Sequence, residues 1–228
     1  MKYHVSFDID FKRNPYKGLY IVIEGIDGSG KTTQVERLTK YFNKQGKKIV
    51  TTREPRKDNK SLIGELIQKI LHGKTNIPPV AFQYLFSADR EMHHEELIVP
   101  SLKKGNMVLS DRCFWSAIPY GIMDREGNVD EKTGAYMLAA QSILSFYHQF
   151  VIPDYTFYLD TPLATAMKRL KKANEEKEIY EDRKKLAKTI KGYDWLLQEF
   201  PKEFIVIDAS KSVDEVTEEI ISRIKFKK

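Results

Sequence analysis

The feature that most constrains this chain is the octapeptide Gly25-Ile26-Asp27-Gly28-Ser29-Gly30-Lys31-Thr32. It fits the pattern G-x-x-x-x-G-K-[ST], in which glycines let backbone N–H groups wrap a phosphate at the start of a helix. An apolar run, Leu19–Ile23, precedes it, and Val35, Leu38 and Phe42 follow it at helical spacing. A strand, a glycine-rich loop and a helix in this order predict a nucleotide-binding loop rather than a chance match.

The residues of this loop have separate predicted roles. Lys31 is expected to reach the β- and γ-phosphates of ATP, and the Thr32 hydroxyl is expected to ligate Mg²⁺. Asp27 is either a contact for a sugar hydroxyl of a second substrate or a solvated turn residue, because phosphates repel an unpaired carboxylate. The residues expected to bind ATP are Gly25, Asp27, Gly28, Ser29, Gly30, Lys31, Thr32 and Thr33.

Five short apolar runs alternate with helical patterns along the chain. The runs are Leu19–Ile23, Ile49–Thr52, Met107–Leu109, Tyr155–Leu159 and Phe204–Ile207. They lack polar alternation, as strands buried on both faces of a parallel sheet do. Further helices are predicted around Ser61–Leu71, Val80–Lys104, Glu131–Phe150, Pro162–Lys172, Tyr180–Phe200 and Val213–Ile224. The alternation predicts an α/β fold, a doubly wound parallel sheet of five strands flanked by helices.

Each predicted strand is followed, directly or after one further residue, by a charged residue, in order Glu24, Arg53, Asp111, Asp160 and Asp208. Ligands of open α/β sheets bind outside the carboxyl ends of the strands, so these side chains are site candidates. Asp111 is expected to hold the Mg²⁺ shell, as acids at this place do in phosphate-loop enzymes. Asp160 and Asp208 are either site residues or only turn residues and helix caps.

Composition narrows the classes of protein. The 228 residues, 41% of them hydrophobic, fit one large domain with its own core. The net charge of +6 fits a nucleic acid or a small phosphorylated ligand, but basic clusters interleaved with aromatic residues are absent, so no nucleic-acid partner is expected. A single cysteine and no run of signal-peptide or membrane-span length predict a cytoplasmic protein without a membrane partner.

Several further motifs follow the loop in a fixed order. They are Arg53-Glu54-Pro55, Phe86-Ser87-Ala88-Asp89-Arg90, Asp111-Arg112 with Ser116, Pro153-Asp154 before Leu159-Asp160, and Tyr180-Glu181 with Tyr193. Together with Glu24–Gln34 they resemble the thymidylate kinase family of P-loop nucleoside monophosphate kinases, over nearly all of Lys17–Ile224. The resemblance implies a three-layer P-loop kinase fold that phosphorylates dTMP with ATP and Mg²⁺, giving dTDP for dTTP synthesis. It also implies a homodimer. Residues 1–17 are then an N-terminal extension, residues 18–228 a single domain, and residues 170–182 approximately a helical lid.

The same resemblance implies roles on the acceptor side. Phe86 stacks on the thymine ring and Arg90 binds a base carbonyl, although core packing and a surface ion pair with Glu91 or Asp89 are the plainer alternatives. Tyr120 disfavours a ribose 2′-hydroxyl, and Tyr193 lies near the nucleotide or merely packs a helix. The expected acceptor-binding residues are Asp27, Arg53, Phe86, Arg90, Arg112, Ser116, Tyr120 and Tyr193. The expected catalytic residues are Lys31, Arg112 and Asp27, and the expected metal ligands are Thr32 and Asp111.

The acceptor phosphate is already anionic, so catalysis needs positioning and charge stabilisation but no general base. Some members of the family carry an arginine directly after the loop acid, where this chain has Gly28. The lid is therefore expected to supply the cation. Its basic residues lie within Arg169–Lys185, and the sequence does not single one out.

Three departures from the family pattern lie on the acceptor side. Arg56-Lys57-Asp58 replaces Gly-Gly-Thr, and Cys113 stands where an aromatic residue usually follows the Asp-Arg pair. After Ser116, Ala117 stands where many members have Asn, Thr or Gly, and Pro119-Tyr120-Gly121 then replaces Ala-Tyr-Gln. Arg56 and Lys57 either add grip on the monophosphate or are exposed, and exposure is favoured. The run His93-His94-Glu95-Glu96 lacks metal-binding spacing and is expected to be a helix surface.

Two other hypotheses fit the phosphate loop. One is another kinase of the same fold, either for a different monophosphate or for a deoxyribonucleoside, with Glu54 as base on a 5′-hydroxyl. The other is a regulatory nucleotide-binding protein without transferase activity. A GTPase is disfavoured because the guanine-reading pattern Asn-Lys-x-Asp is absent.

Overall fold

The computed structural model describes residues 8, 10–57, 61–124, 143–173 and 179–226. In this part of the chain a parallel sheet has the strand order β2-β3-β1-β4-β5. The strands are β1 Tyr20–Glu24, β2 Ile49–Arg53, β3 Met107–Asp111, β4 Tyr155–Asp160 and β5 Ile205–Asp208. All five predicted runs form strands, and each strand continues to the charged residue that follows its run.

Helices connect these strands and cover both faces of the sheet. Within the described residues they are α1 Lys31–Lys44, α2 Leu62–Leu71, α3 Pro79–His93, α4 Val99–Lys103, α5 Ala117–Asp124, α6 Leu163–Ala173, α7 Arg183–Glu199 and α8 Val213–Arg223. Side-chain caps fix several starts: Ser61 accepts a hydrogen bond from the Gly64 N–H at 3.0 Å, and Ser212 forms a capping box with Glu215.

Two predicted helices differ from the described structure or extend beyond it. The pattern over Val80–Lys104 is helical throughout, but a π-helical turn at His94–Ile98 separates α3 from α4. The prediction over Glu131–Phe150 falls largely on residues 125–142, which lie outside the described part of the chain.

The sequence pattern did not predict α5, because Pro119 and Gly121 weaken its helical propensity. Packing against α7 stabilises it instead. Gly192 of α7 lies so close to this helix that an added Cβ would be 2.7 Å from Cα of Pro119. A tertiary contact therefore outweighs local preference at this position.

The core is divided between the two faces of the sheet. Successive strand residues point to opposite faces, so Tyr20 and Val22 pack with α3, α5 and α7, whereas Ile21 and Ile23 pack with α1 and α8. Both faces of β1 are buried along its whole length. The three-layer arrangement predicted from unalternated apolar runs is confirmed.

The described part of the predicted N-terminal extension packs on this domain. Phe11 lies 5.4 Å from the ring of Trp115 and 6.1 Å from that of Phe200, and Arg13 pairs with Glu203 at 2.6 Å. Among the described helices, none has the length and apolar character that crossing a membrane requires.

Candidate nucleotide-binding and acceptor site

The central strand brings three strand ends together at one edge of the sheet. Ile23 of β1 is paired with Asp111 of β3, and Asp111 is also paired with Arg53 of β2. The loop after β1 therefore begins beside Asp111 of neighbouring β3, with Arg53 of β2 on the other side of Asp111. This carboxyl edge, where β1 separates connections running in opposite directions, is where ligands bind in such sheets.

The glycine-rich loop adopts backbone conformations that its glycines permit. Gly28 and Gly30 have φ values of 78° and 98°. An added Cβ on Gly28 would lie 2.5 Å from the carbonyl oxygen of Ala166, so α6 presses directly on the loop. A side chain at position 28 is excluded by both backbone conformation and space. The absence of a loop arginine at this position therefore has a steric reason.

Lys31 is buried at the start of α1. Its Nζ donates to the carbonyl oxygen of Ile26 at 2.9 Å and lies 3.9 Å from Oδ1 of Asp27. Burial, followed by the positive charge of Arg112, lowers the pKa of Lys31 to about 8 despite the nearby carboxylates. Phosphate oxygens placed here would stabilise the ammonium form and raise this pKa.

Thr32 and Asp111 lie together as the metal prediction requires. The Thr32 hydroxyl donates to Oδ2 of Asp111 at 2.7 Å, which joins the start of α1 to the end of β3. A hydroxyl and a carboxylate are oxygen donors of the kind that Mg²⁺ prefers, and Mg²⁺ usually takes few protein ligands beside phosphates and water. The donor set therefore fits a magnesium ion.

Arg112 donates hydrogen bonds to four other predicted site residues. Its Nη2 donates to Oδ1 of Asp27 at 2.5 Å and to the hydroxyl of Tyr120 at 2.8 Å, and its Nη1 contacts Ser116 and Tyr193 at 3.1 and 3.3 Å. Burial alone would lower the pKa of Arg112, but the partners Tyr120 and Asp27 outweigh it and raise the pKa. Arg112 is thus a permanent buried cation.

Asp27 is paired on both oxygens. Oδ1 accepts from Arg112, and Oδ2 accepts from the Tyr120 hydroxyl at 3.0 Å. Burial raises the pKa of Asp27, but Arg112 and Lys31 together with the hydrogen bonds lower it below its ordinary value. The alternative of a solvated turn residue is wrong.

Glu24 was a site candidate only as a charged residue at a strand end, and the sequence assigned it no role. It is fully buried, and its carboxylate accepts from Ser116 Oγ at 2.6 Å, Tyr193 OH at 2.8 Å and the Cys113 N–H at 2.9 Å. Ser116 and Tyr193 therefore contact Glu24 and Arg112 at the floor of the site. An acid at the end of a fully buried strand is the sequence signal that could have indicated this role.

Two cavities meet at this cluster. The larger, of about 590 Å³, is lined by the phosphate loop, Arg53, Asp111 and Arg169. The smaller, of about 50 Å³, is lined by Phe86, Arg90, Ser116, Tyr120 and Tyr180, among others. Asp27, Glu54, Pro55, Leu71 and Arg112 line both. The larger cavity provides space for a triphosphate and, where it meets the smaller one, for the phosphate of a second molecule that extends into the smaller cavity.

Aromatic rings line the smaller cavity. Phe86 packs 4.4 Å from Phe82, and Tyr180 lies parallel to Phe82 and edge-on to Tyr120 at 5.2 Å. Tyr180 lies within the predicted lid, residues 170–182, and the N–H of neighbouring Ile179 donates to the Leu71 carbonyl at 2.9 Å. Tyr180 belongs to one of the motifs that resemble the family, but the motif alone does not predict its place in the acceptor cavity.

Arg90 is buried rather than part of a surface ion pair. Its Nε donates to Glu54 at 2.7 Å and its Nη1 to the Tyr147 hydroxyl at 3.0 Å. His93 contacts the other oxygen of Glu54 at 3.3 Å and the Thr52 hydroxyl at 2.7 Å. The suggested partners Glu91 and Asp89 are therefore wrong for Arg90.

Two surface predictions are wrong. His93 and His94 are both buried, with His94 stacked on Phe150 at 4.6 Å, although Glu95 and Glu96 of the same run are exposed. Arg56 is buried as well, whereas Lys57 is exposed as expected. Within the described residues no group of three or more His, Cys, Asp or Glu side chains is arranged to hold a metal ion.

Cys113 and Ala117, two of the departures from the family pattern, are small buried residues. Burial followed by the charges of Glu24 and Glu54 raises the pKa of the Cys113 thiol well above its ordinary value, which keeps it neutral. Cys113 is therefore a buried packing residue.

The lid prediction is only partly covered, because residues 174–178 lie outside the described part of the chain. Arg169, at the start of the basic run, donates to the Ser29 carbonyl at 3.1 Å and to the Ala209 carbonyl at 3.0 Å. It therefore links α6, the phosphate loop and the end of β5. The identity of the lid cation stays a prediction.

Comparison with known proteins agrees with this geometry. The sequence model of the family described as thymidylate kinase matches residues 23–220, which is most of the chain. The chain belongs to the thymidylate kinase family. Thymidylate kinase of Bifidobacterium longum strain NCC 2705 is 38% identical over 213 residues, covering 91% of this chain and 98% of that protein. Thymidylate kinase of Thermoanaerobacter sp. strain X514 is 36% identical over 213 residues, covering 92% and 98%.

A solved structure of thymidylate kinase from Candida albicans has a similar fold. The TM-score is 0.75, the sequence identity 25%, and the match covers 90% of each chain. The predicted family, the P-loop kinase fold and an enzyme that transfers phosphate are confirmed. The individual roles of the thymidylate kinase site residues stay predictions, to which the contacts described above give a geometric basis.

Proposed function

We propose that this chain transfers the γ-phosphate of ATP to dTMP, giving ADP and dTDP. Membership of the thymidylate kinase family supports the reaction, and the contact between Arg112 and Asp27 supports the mechanism. That contact lies where the two cavities meet, so one guanidinium group is within reach of both the donor loop and an acceptor.

On the donor side, the backbone N–H groups of the loop and Lys31 bind the β- and γ-phosphates of ATP. Thr32 and Asp111 hold Mg²⁺, which when bound neutralises charge on the phosphates. Thr33 and Ser29 complete the ATP contacts at the start of α1. Burial and the charge of Arg112 lower the pKa of Lys31 in the free protein, and bound phosphate oxygens raise it again.

On the acceptor side, Arg53 and Arg112 bind the monophosphate of dTMP. Nε of Arg53 is buried and has no hydrogen-bond partner among the described residues, so this donor is available to a phosphate oxygen. Phe86 and Arg90 line the smaller cavity and bind the base. Tyr120, whose hydroxyl donates to Asp27 of the phosphate loop, contacts the sugar. The acceptor oxygen attacks directly because it is already anionic.

A deoxyribonucleoside kinase requires a free carboxylate as base for a neutral 5′-hydroxyl. Burial raises the pKa of Glu54, but His93 and Arg90 outweigh it and lower the pKa below its ordinary 4.5. A carboxylate held by two partners and stabilised as the anion is a weak base. The geometry therefore favours a monophosphate acceptor.

We also propose a cytoplasmic homodimer. Val80 and Tyr84 on α3 are 47% and 57% exposed, and Tyr84 packs edge-on against exposed Phe146 at 5.8 Å. An exposed aromatic pair that includes a residue of α3 is compatible with the dimer contact that the family resemblance implies. Light scattering of the purified chain tests this assignment.

A panel of acceptors with Mg-ATP tests the proposed reaction. We expect dTMP to give the highest kcat/KM among nucleoside monophosphates and thymidine to give no turnover, with ADP formation as the readout. Lys31→Met is the matched control, because it removes the donor cation without touching the acceptor cavity. Turnover of thymidine alone, or ADP formation with no acceptor, would contradict the proposal.

A further inference from the structure

The loop that follows β2 is attached to α3 by two ion pairs of opposite polarity. Glu54 of the loop pairs with Arg90 of the helix at 2.7 Å, and Arg56 of the loop pairs with Asp89 at 3.1 Å. Adjacent helix residues of opposite charge thus hold alternate loop residues of opposite charge. Either pair alone would fix one point, whereas the two together fix the direction of the loop.

Arg56 differs from its neighbours in where it points. Arg53, Glu54, Pro55 and Lys57 line the larger cavity, but Arg56 does not. The residue is 8% exposed, and its guanidinium group pairs with Asp89 of α3. The residue therefore contributes to this side of the site without facing the substrate space.

Three hydrogen bonds hold Arg56 in this position. Its backbone N–H donates to Oδ2 of Asp89 at 3.1 Å, its Nε to Oδ1 of the same carboxylate at 3.1 Å, and its Nη1 to Glu96 at 2.8 Å. Asp89 is almost fully buried, and Glu96 lies on the π-helical turn. A planar guanidinium that bridges two acids in this way is not replaced by lysine.

We infer that Arg56 is a positioning residue for the acceptor: it fixes the segment Arg53–Lys57 against α3 and so places Arg53 opposite the acceptor phosphate. The inference rests on the proposed function, in which Arg53 binds that phosphate. Arg56 acts through the backbone of its segment and through α3, which also carries Phe86 and Arg90. Loss of Arg56 therefore weakens binding of the acceptor and leaves ATP binding at the phosphate loop unchanged.

Steady-state kinetics of three variants test this inference. We expect Arg56→Ala to raise the KM for dTMP about ten-fold, because small displacements of binding groups cost one to two orders of magnitude. Arg56→Lys should raise the KM for dTMP less than Arg56→Ala does, and Glu96→Gln should raise it least. The KM for ATP should stay within two-fold of wild type in all three variants. Arg13→Ala is the matched control, since it breaks an exposed arginine–carboxylate pair remote from both cavities.

A merely structural role predicts a different pattern. If the variants unfold at lower temperature but keep the wild-type KM for dTMP, or if both KM values rise together, the inference is wrong. Should Arg56→Ala fail to fold, Arg56→Lys and Glu96→Gln decide, because Glu96 is half exposed and its loss leaves Asp89 paired. A wild-type chain that does not phosphorylate dTMP defeats the proposed function instead, so the two failures are distinguishable.

Discussion

Nη2 of Arg112 lies 2.5 Å from Oδ1 of Asp27, and the same nitrogen lies 2.8 Å from the hydroxyl of Tyr120. A residue that follows β3 is thereby joined to the loop that follows β1. The guanidinium is buried and permanently charged, so an entering phosphate meets a cation that is already oriented. Preorganised charge of this kind needs no rearrangement during the reaction.

Removing this cation should strongly impair the transfer step. We expect Arg112→Ala to lower kcat/KM for dTMP by about 10²–10³, the range seen when one preorganised donor is deleted from a site. Arg112→Lys should recover only part of the loss, because an ammonium group cannot bridge Asp27 and Tyr120 as a planar fork does. Initial rates of ADP formation measure both variants. A loss below ten-fold in Arg112→Ala would show that the cation is not needed.

The protonation of Lys31 should be coupled to nucleotide binding. With its pKa lowered to about 8, Lys31 is partly neutral above pH 8 in the free protein, and bound phosphates raise that pKa. Binding of ATP near pH 8.5 should therefore take up protons, and affinity should fall as pH rises further. Titration calorimetry in two buffers of different ionisation enthalpy measures the uptake.

Lys31→Arg is the control for this effect, because its guanidinium stays charged at every accessible pH. The variant should bind nucleotide without proton uptake from this position. Equal uptake by the variant and the wild type would assign the proton to another group.

Tyr120 should discriminate between sugars by its ring and support Arg112 by its hydroxyl. We expect Tyr120→Ala to lower the ratio of kcat/KM for dTMP over ribothymidine monophosphate about ten-fold, because the space against C2′ opens. Tyr120→Phe keeps the ring and should keep the ratio, while overall activity falls as Asp27 and Arg112 lose a hydrogen bond. An unchanged ratio in Tyr120→Ala would place sugar selection elsewhere.

The buried pair of Glu54 and Arg90 should contribute to stability in a pH-dependent way. We expect Glu54→Gln to lower the free energy of unfolding by about 3 kcal/mol at pH 7, because it leaves a buried cation without its partner. The pKa of Glu54 is lower in the folded protein than its ordinary 4.5. Its contribution is therefore full above about pH 4.5 and declines as pH falls through the folded pKa.

Urea unfolding of the wild type and of Glu54→Gln between pH 3 and pH 7 measures this difference. The gap between the two curves should narrow below pH 4.5. Glu219→Gln, which alters an exposed pair with Lys211, should differ little from the wild type at any pH. A gap that widens toward acid would reverse the assigned direction.

The fold and the donor half of the site were predictable because local patterns determine them. Glycine spacing, a following helix and apolar runs without alternation leave few arrangements, and the register then places Arg53 beside Asp111. The prediction that Asp27 and Arg112 line the site required only that the strand ends meet at one edge of the sheet. These inferences depend on neighbouring strands and little else.

The contacts of the acceptor side were harder to predict from the sequence, because they join segments that are distant in sequence. Arg56 was expected to be exposed since a charged residue in a loop usually is, and nothing near it in sequence indicates Asp89 as partner. His93 and His94 are both buried partly because a π-helical turn changes the rotation of successive side chains. The lid and the division of the chain into extension and domain stay predictions.

Arg112 has a backbone φ of 73°, in a region that residues with a side chain rarely adopt. Such a conformation costs about 1–2 kcal/mol and is relieved by glycine. Glycine at this position would release the strain but would leave the buried carboxylate of Glu24 and the carboxylate of Asp27 without their cation, which costs more than the strain itself. The unfavourable backbone of Arg112 is therefore maintained by the charges of its partners, and a variant that removes the guanidinium group loses stability together with activity.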